Sequence, residues 1–243
     1  MLSRKLLTDL ISWKTSKNRK PLMVRGARQV GKSYLIEAFG KLHFKHIITI
    51  NFEVSPEYKT CFLSLKPNEI CDAIKVLSQQ PITPGETLLF LDEIQDCPEA
   101  IQALRYFKEN MPELHVISAG SLLELMLKKS NFRMPVGRVS SLFLYPMSFM
   151  EYLTAANPDS DMYTRLQKIS LDKPASPAIH EYLLKELKTY LLLGGMPEAV
   201  DHYLSYKEIH AVQKIQASII DTYKQDFGHY SALSSPIYLD KCF

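Results

Sequence analysis

Eight consecutive residues, Gly26-Ala27-Arg28-Gln29-Val30-Gly31-Lys32-Ser33, carry the spacing G-x-x-x-x-G-K-S. That pattern suits the binding of a nucleotide's phosphate chain. Two glycines permit backbone angles that turn successive N–H groups of the loop toward a β-phosphate. Lys32 reaches the β- and γ-phosphates as a point charge, and the Ser33 hydroxyl is of the right type to ligate Mg²⁺. Tyr34 follows in the first turn of the next helix and offers its N–H to an α-phosphate. On this stretch alone, an ordinary glycine-containing turn is the competing explanation.

A second stretch weakens that alternative. Leu88-Leu89-Phe90-Leu91 is an apolar run that ends in Asp92-Glu93. An acid at the carboxyl end of a central strand lies at the crevice where open α/β sheets take ligands. Asp92 is expected to hold Mg²⁺ through a water, and Glu93 to polarise the attacking water as general base. Two solvated acids beside a helix are the bland alternative. Near the end of another strand, Ser118 and Ser121 flank Ala119-Gly120, and either hydroxyl suits contact with a γ-phosphate. Arg138 is a candidate charge-stabilising group, supplied in cis or in trans; a surface ion pair is its alternative. Arg25 and Arg28 flank the loop's variable positions. Arg28 is given a binding role toward phosphate or a partner, and no catalytic one.

These residues need a frame that brings loop and acids together. Asn18 to Gly26, "NRKPLMVRG", reads as a short buried strand entered through Pro21, and Lys32 to Gly40 has helical pattern ending at a glycine. Phe44 to Glu53 is a strand rich in β-branched residues, and Asn68 to about Ser78 is a helix. Pro81, Pro84 and Gly85 break the chain before a third strand, Thr87 to Glu93. Pro98 to Met111 is a helix with Asp96 placed to cap it. Leu114 to Ser121 and Ser140 to Pro146 supply two further strands. Strands alternating with helices imply right-handed crossovers and a parallel sheet covered on both faces. Residues 1–156 form the expected core, with an opening helix at 2–16. Residues 157–178 read as a polar, proline-bearing linker, 179–230 as a helical lid and 231–243 as a tail.

The bulk numbers agree with that frame. The 243 residues are 46% apolar and 23% charged, ordinary for a globular chain with a proper core. Residues 1–50 hold eleven Lys or Arg against two acids, Asp9 and Glu37, within a net charge of +3. A basic front end suits anionic ligands, nucleotide phosphates first and nucleic acid second, although a solvated helix face is an equal alternative. The four cysteines show no C-x-x-C pair, which argues against a disulfide framework and a zinc ribbon and fits a reducing cytoplasm. No apolar run approaches the roughly 18 residues of a membrane span.

Taken together, "VRGARQVGKSYL", "INFE", "LLFLDEIQDCPEAIQALRYFKE", "VISAGSLLEL", "VGRVSSLFLYPMSFMEYL" and "LLLGGMPEAV" resemble the prokaryotic AAA-type ATPases that carry a C-terminal domain of unknown function. The resemblance spans about residues 2–230. It implies an additional-strand-catalytic-Glu P-loop fold with sheet order 5-1-4-3-2, a helical lid, and ATP with Mg²⁺ as ligands. By position it puts the phosphate loop on Gly26 to Ser33, the Mg²⁺ acid on Asp92 and the catalytic acid on Glu93. The family's Gly-Arg pair falls on Gly137-Arg138, and its lid turn on Gly194 to Glu198. Relatives often have Thr-Gly-Ser where this chain has Ala119-Gly120-Ser121, so Ser121 is the favoured substitute for the phosphate-sensing hydroxyl. Relatives also continue into a restriction-nuclease-like domain, whereas this chain ends thirteen residues after Tyr230; the resemblance implies truncation. The expected activity is ATP hydrolysis driving a conformational switch, with a protein partner or a second copy of the chain to act on. A non-hydrolysing nucleotide-binding module and a DNA-associated regulator are the alternatives.

Overall fold

The computed structural model describes residues 2, 4–121, 137–158, 160, 162–170 and 172–230. Their contacts fall into two units. One holds Leu6–Ala27 and Gly31–Leu144; the other takes in the residues before Leu6, the short stretch Arg28–Val30, and the chain from Tyr145 on.

The first unit opens with α1 (Leu6–Thr15), which buries Leu6, Leu10 and Trp13. It continues through β1 (Leu22–Arg25), α2 (Lys32–His43), β2 (His46–Asn51), α3 (Pro67–Ser78), β3 (Thr87–Asp92), α4 (Pro98–Asn110), β4 (His115–Ala119) and β5 (Ser140–Phe143). The five strands form one parallel sheet in the order β2-β3-β4-β1-β5. That is the expected 5-1-4-3-2 order read from the other edge. All six residues of β3 and all five of β4 are buried, as strands covered on both faces must be. Each large apolar side chain there contributes roughly 1.5–3 kcal/mol by leaving water. The edge strand β5 instead alternates half-buried and exposed residues, so the sheet's centre carries most of its stability. The described cysteines, Cys61, Cys71 and Cys97, are free and buried, and burial pushes the thiols of Cys71 and Cys97 up to about 11.

Two local expectations are corrected. Gly40 does not end α2, which runs on to His43. A Cβ at Gly40 would come within 2.3 Å of Ile47 Cδ1, so this glycine marks close packing of helix on sheet rather than a cap. Asp96 does not cap α4. It closes a 3₁₀ turn, Ile94–Asp96, and the N-cap position falls to Cys97 with no side-chain cap bond.

In the second unit Ser148 and Glu151 form a reciprocal capping box at the start of α5 (Phe149–Ala156). Glu151 also takes the Arg4 guanidinium at 3.1 Å and the Lys5 N–H at 2.9 Å. Within the expected linker lies a short helix, α6 (Met162–Leu166). Then come α7 (Pro177–Leu193), α8 (Pro197–Tyr206) and α9 (Ile209–Tyr230). Their core gathers Met147, Tyr152, Leu153, Leu193, Ala199, Val200 and Val212.

The Gly194-Gly195 turn between α7 and α8 has a steric reason. Gly194 sits at φ 68°, and a Cβ on Gly195 would lie 2.3 Å from the Met147 carbonyl oxygen. Met147 N–H donates to the Gly195 carbonyl at 2.6 Å, so the two backbones cannot separate without losing that bond. Gly195→Ala is therefore expected to destabilise the helical unit by about 1–3 kcal/mol, read as an earlier thermal unfolding transition. An unchanged transition would show that the close approach relaxes at no cost.

Candidate nucleotide site

The loop after β1 departs from ordinary backbone where its sequence foretold. Gly26 takes φ 148° and Gly31 φ 87°, and Gln29 between them sits at φ 62°, a left-handed conformation that few side chains favour. Gly31 occupies the N-cap of α2 with no side-chain cap bond. The first N–H groups of α2 therefore keep their donor capacity and the partial positive charge of a helix start. Lys32 is only 6% exposed. Its amine donates to the carbonyls of Gly26 at 2.9 Å and Ala27 at 2.8 Å, which ties the mouth of the loop to the helix start.

Ser33 Oγ donates to Asp92 Oδ2 at 2.8 Å. The sheet makes this contact: β1 is two strands from β3, and both end at the same edge. Asn51 stands in register with Asp92 on β2, and its Nδ2 donates to the same Oδ2 at 3.3 Å. The Asn51 amide is oriented by its own turn, since Oδ1 accepts from the N–H groups of Glu53 at 3.0 Å and Val54 at 3.1 Å. Burial pushes the Asp92 carboxyl above the ordinary aspartate range, against the opposing Ser33 hydrogen bond and Lys32 charge. A hydroxyl and a carboxylate oxygen this close are hard oxygen donors of the kind Mg²⁺ accepts alongside substrate phosphates.

Glu93 also departs from ordinary backbone, at φ 46°. Its Oε2 accepts from Gln95 Nε2 at 2.6 Å, from Ser121 Oγ at 3.3 Å and from the Ser121 N–H at 3.4 Å. Ser121 thus stands with Glu93, whereas Ser118 is fully buried and donates to the Leu22 carbonyl inside the sheet. Asn51 and Gln95 had no role in the sequence. Both lie inside the motifs "INFE" and "LDEIQ", and a polar residue ending an apolar strand or turn was the signal available.

Tyr34 follows Ser33 in the first turn of α2, with its side chain 63% exposed. Two arginines are not gathered here. The Arg25 guanidinium lies over the Phe143 ring, 4.7 Å from its centroid. Arg138 precedes β5, whose Ser140 pairs with Leu22 at the beginning of β1; the loop follows the end of β1. Arg138 therefore sits at the opposite end of the strands from its own phosphate loop. There it meets Glu109 at 2.8 Å, and Glu109 also meets Arg105 at 3.1 Å. Arg138 first, then Arg105, holds the Glu109 carboxyl below its usual range. The loop's apex, Arg28–Val30, groups with the helical unit. Tyr223 Oη donates to the Arg28 carbonyl at 2.8 Å, Arg4 Nη1 to the Val30 carbonyl at 3.0 Å, and Gln29 Nε2 reaches Thr222 Oγ1 at 3.5 Å.

A parallel sheet in this order, with a glycine-lysine-serine loop after β1 and an acid ending β3, defines a P-loop nucleotide-binding protein. More narrowly, residues 18–153 match the AAA domain family, more than half of the chain, and the protein belongs to that family. Among solved structures, a Walker-type ATPase of Pyrococcus abyssi, PABY2304, is similar in fold. It has a TM-score of 0.53 and 17% identity, over 93% of this chain and 73% of that one. PCH-2 of C. elegans matches with a TM-score of 0.46 and 9% identity, over 90% of this chain and 67% of that one. Drosophila ORC, in a structure with DNA bound, matches with a TM-score of 0.45 and 16% identity, over 88% and 66%. No curated protein sequence matches. Among the described residues no helix is long and apolar enough to cross a membrane.

Proposed function

We propose that the chain is a Mg²⁺-dependent ATPase whose cycle of binding and hydrolysis drives a conformational switch, and that its site is completed by a second copy of the chain. The observation that carries it is the contact of Ser33 Oγ with Asp92 Oδ2 at 2.8 Å, beside a Glu93 that sits one residue further on. Ser33 and Asp92 would hold the metal, which when bound neutralises charge on the β- and γ-phosphates. The loop and Lys32 bind and orient the phosphate chain. Glu93 takes the proton of the attacking water. Support for the switch comes from the loop's apex. Tyr223 and Arg4 bond to the Arg28 and Val30 carbonyls, so a loop that closes on phosphate pulls on hydrogen bonds of the helical unit.

Support for the second copy comes from Arg138, which lies away from its own loop on the exposed edge. A guanidinium supplied from outside stabilises transition-state charge strongly in phosphoryl transfer. The rate of phosphate release per subunit is expected to rise with protein concentration, and Arg138→Ala to lower its plateau by about tenfold or more. Mixing Arg138→Ala with Glu93→Gln is expected to restore turnover, because the first variant's intact Glu93 then meets Arg138 of the partner subunit. A rate per subunit that is flat with concentration, with no restoration on mixing, assigns Arg138 to its Glu109 ion pair alone.

A further inference from the structure

We propose that Gln95 is a positioning residue that fixes the rotation of the Glu93 carboxylate and helps hold the attacking water; this rests on the hydrolytic reading above. Gln95 lies on the 3₁₀ turn Ile94–Asp96 and is only 8% exposed. A buried amide is costly unless its groups are bonded, so its partners carry information. Nε2 donates to Glu93 Oε2 at 2.6 Å. That bond also decides which way the amide faces, since its oxygen cannot turn toward a carboxylate.

Two consequences follow. First, Glu93 Oε2 already accepts three donors, from Gln95 Nε2, Ser121 Oγ and the Ser121 N–H. The oxygen left to take a proton is Oε1. Second, Gln95 Oε1 is buried with no hydrogen-bond partner among the described residues. It is carried on the same planar amide as Nε2, beside the carboxylate. A buried acceptor of this kind calls for a donor, and a water supplies two O–H groups at once. One O–H pointing to Glu93 Oε1 and the other to Gln95 Oε1 leaves a lone pair of that water free for attack. In the step, the water oxygen bonds to the γ-phosphorus. The bond from that phosphorus to the β–γ bridging oxygen breaks, its electron pair leaving with ADP, and the water's proton passes to Glu93 Oε1. Gln95 itself gains and loses nothing. It keeps Oε2 engaged and the water oriented, while the left-handed backbone of Glu93, φ 46°, presents the carboxylate at the start of the turn that carries Gln95.

The test compares wild type with Gln95→Met, which keeps length without donor or acceptor, and with Gln95→Glu, which exchanges the donor for a like charge. Both are expected to lower kcat by about ten- to a hundredfold, the range a small misplacement produces. Affinity for Mg–ADP with beryllium fluoride, a ground-state mimic, is expected to stay at the wild-type value in both, and thermal unfolding to stay there in Gln95→Met, which adds no charge. Affinity for Mg–ADP with aluminium fluoride, which mimics the in-line state with water in place, is expected to fall by about the same factor as kcat. A merely structural role would move both analogues together. Wild-type turnover in both variants, faster turnover, or equal loss on the two analogues overturns the proposal and leaves the ATPase reading intact. A wild-type chain that binds neither analogue overturns both.

Discussion

Glu93→Gln is expected to lower ATP turnover by about 10²- to 10⁴-fold, the usual worth of a positioned general base. Nucleotide affinity is expected to stay within about twofold, because the amide changes no group that touches the phosphates. Gln has the shape of Glu and keeps one oxygen able to accept from Gln95 and Ser121, the partners of Glu93 Oε2. It also leaves the left-handed backbone at position 93, φ 46°, as it was. What disappears is the basic oxygen that takes the proton in the proposed function. Single-turnover phosphate release and equilibrium binding of a fluorescent ATP analogue separate the two effects. If the variant bound ATP and released phosphate at the wild-type rate, another group would have to be the base.

Lys32→Ala is expected to weaken nucleotide binding by about a hundredfold, since a charge-assisted contact to phosphate contributes roughly 1.5–3 kcal/mol. The geometry adds two losses. The amine is buried and joins the Gly26 and Ala27 carbonyls at 2.9 and 2.8 Å, so its removal leaves both acceptors without this donor and loosens the loop's mouth. It also removes a positive charge that opposes the rise burial imposes on the Asp92 carboxyl. Titration with Mg–ATP at fixed ionic strength measures the first loss. Unaltered affinity would mean that the backbone loop alone holds the phosphates.

The two substitutions act on different links of one chain of causes. In the proposed function Lys32 serves binding and Glu93 the chemical step. In a P-loop protein the reacting phosphoryl group needs little covalent help, so positioning and charge carry the rate. That is why small contacts such as Asn51 to Asp92 and Gln95 to Glu93 carry weight here. Each sets the direction of a carboxylate that must be right before anything bonds to it.

The amino-acid sequence by itself determined the parts of this protein whose causes are local. The glycine-lysine-serine loop, the apolar run ending in Asp92-Glu93 and the alternation of strands with helices all follow from residue type and short-range spacing. The parallel sheet order followed from the resemblance carried by those motifs, and it holds in the structure. Tertiary structure decided what depends on residues far apart in the chain. Asn51 meets Asp92 only because β2 and β3 pair in register. Ser121, rather than Ser118, meets Glu93 because it lies beyond the end of β4, whereas Ser118 is held inside the strand and donates to the Leu22 carbonyl. Arg138 falls at the far end of the strands from the loop because β5 runs parallel to β1. Gly40 looked like a helix end and proved to be a packing contact with Ile47. A cap and a close approach select the same residue, glycine, and only the neighbour brought up by the fold tells them apart.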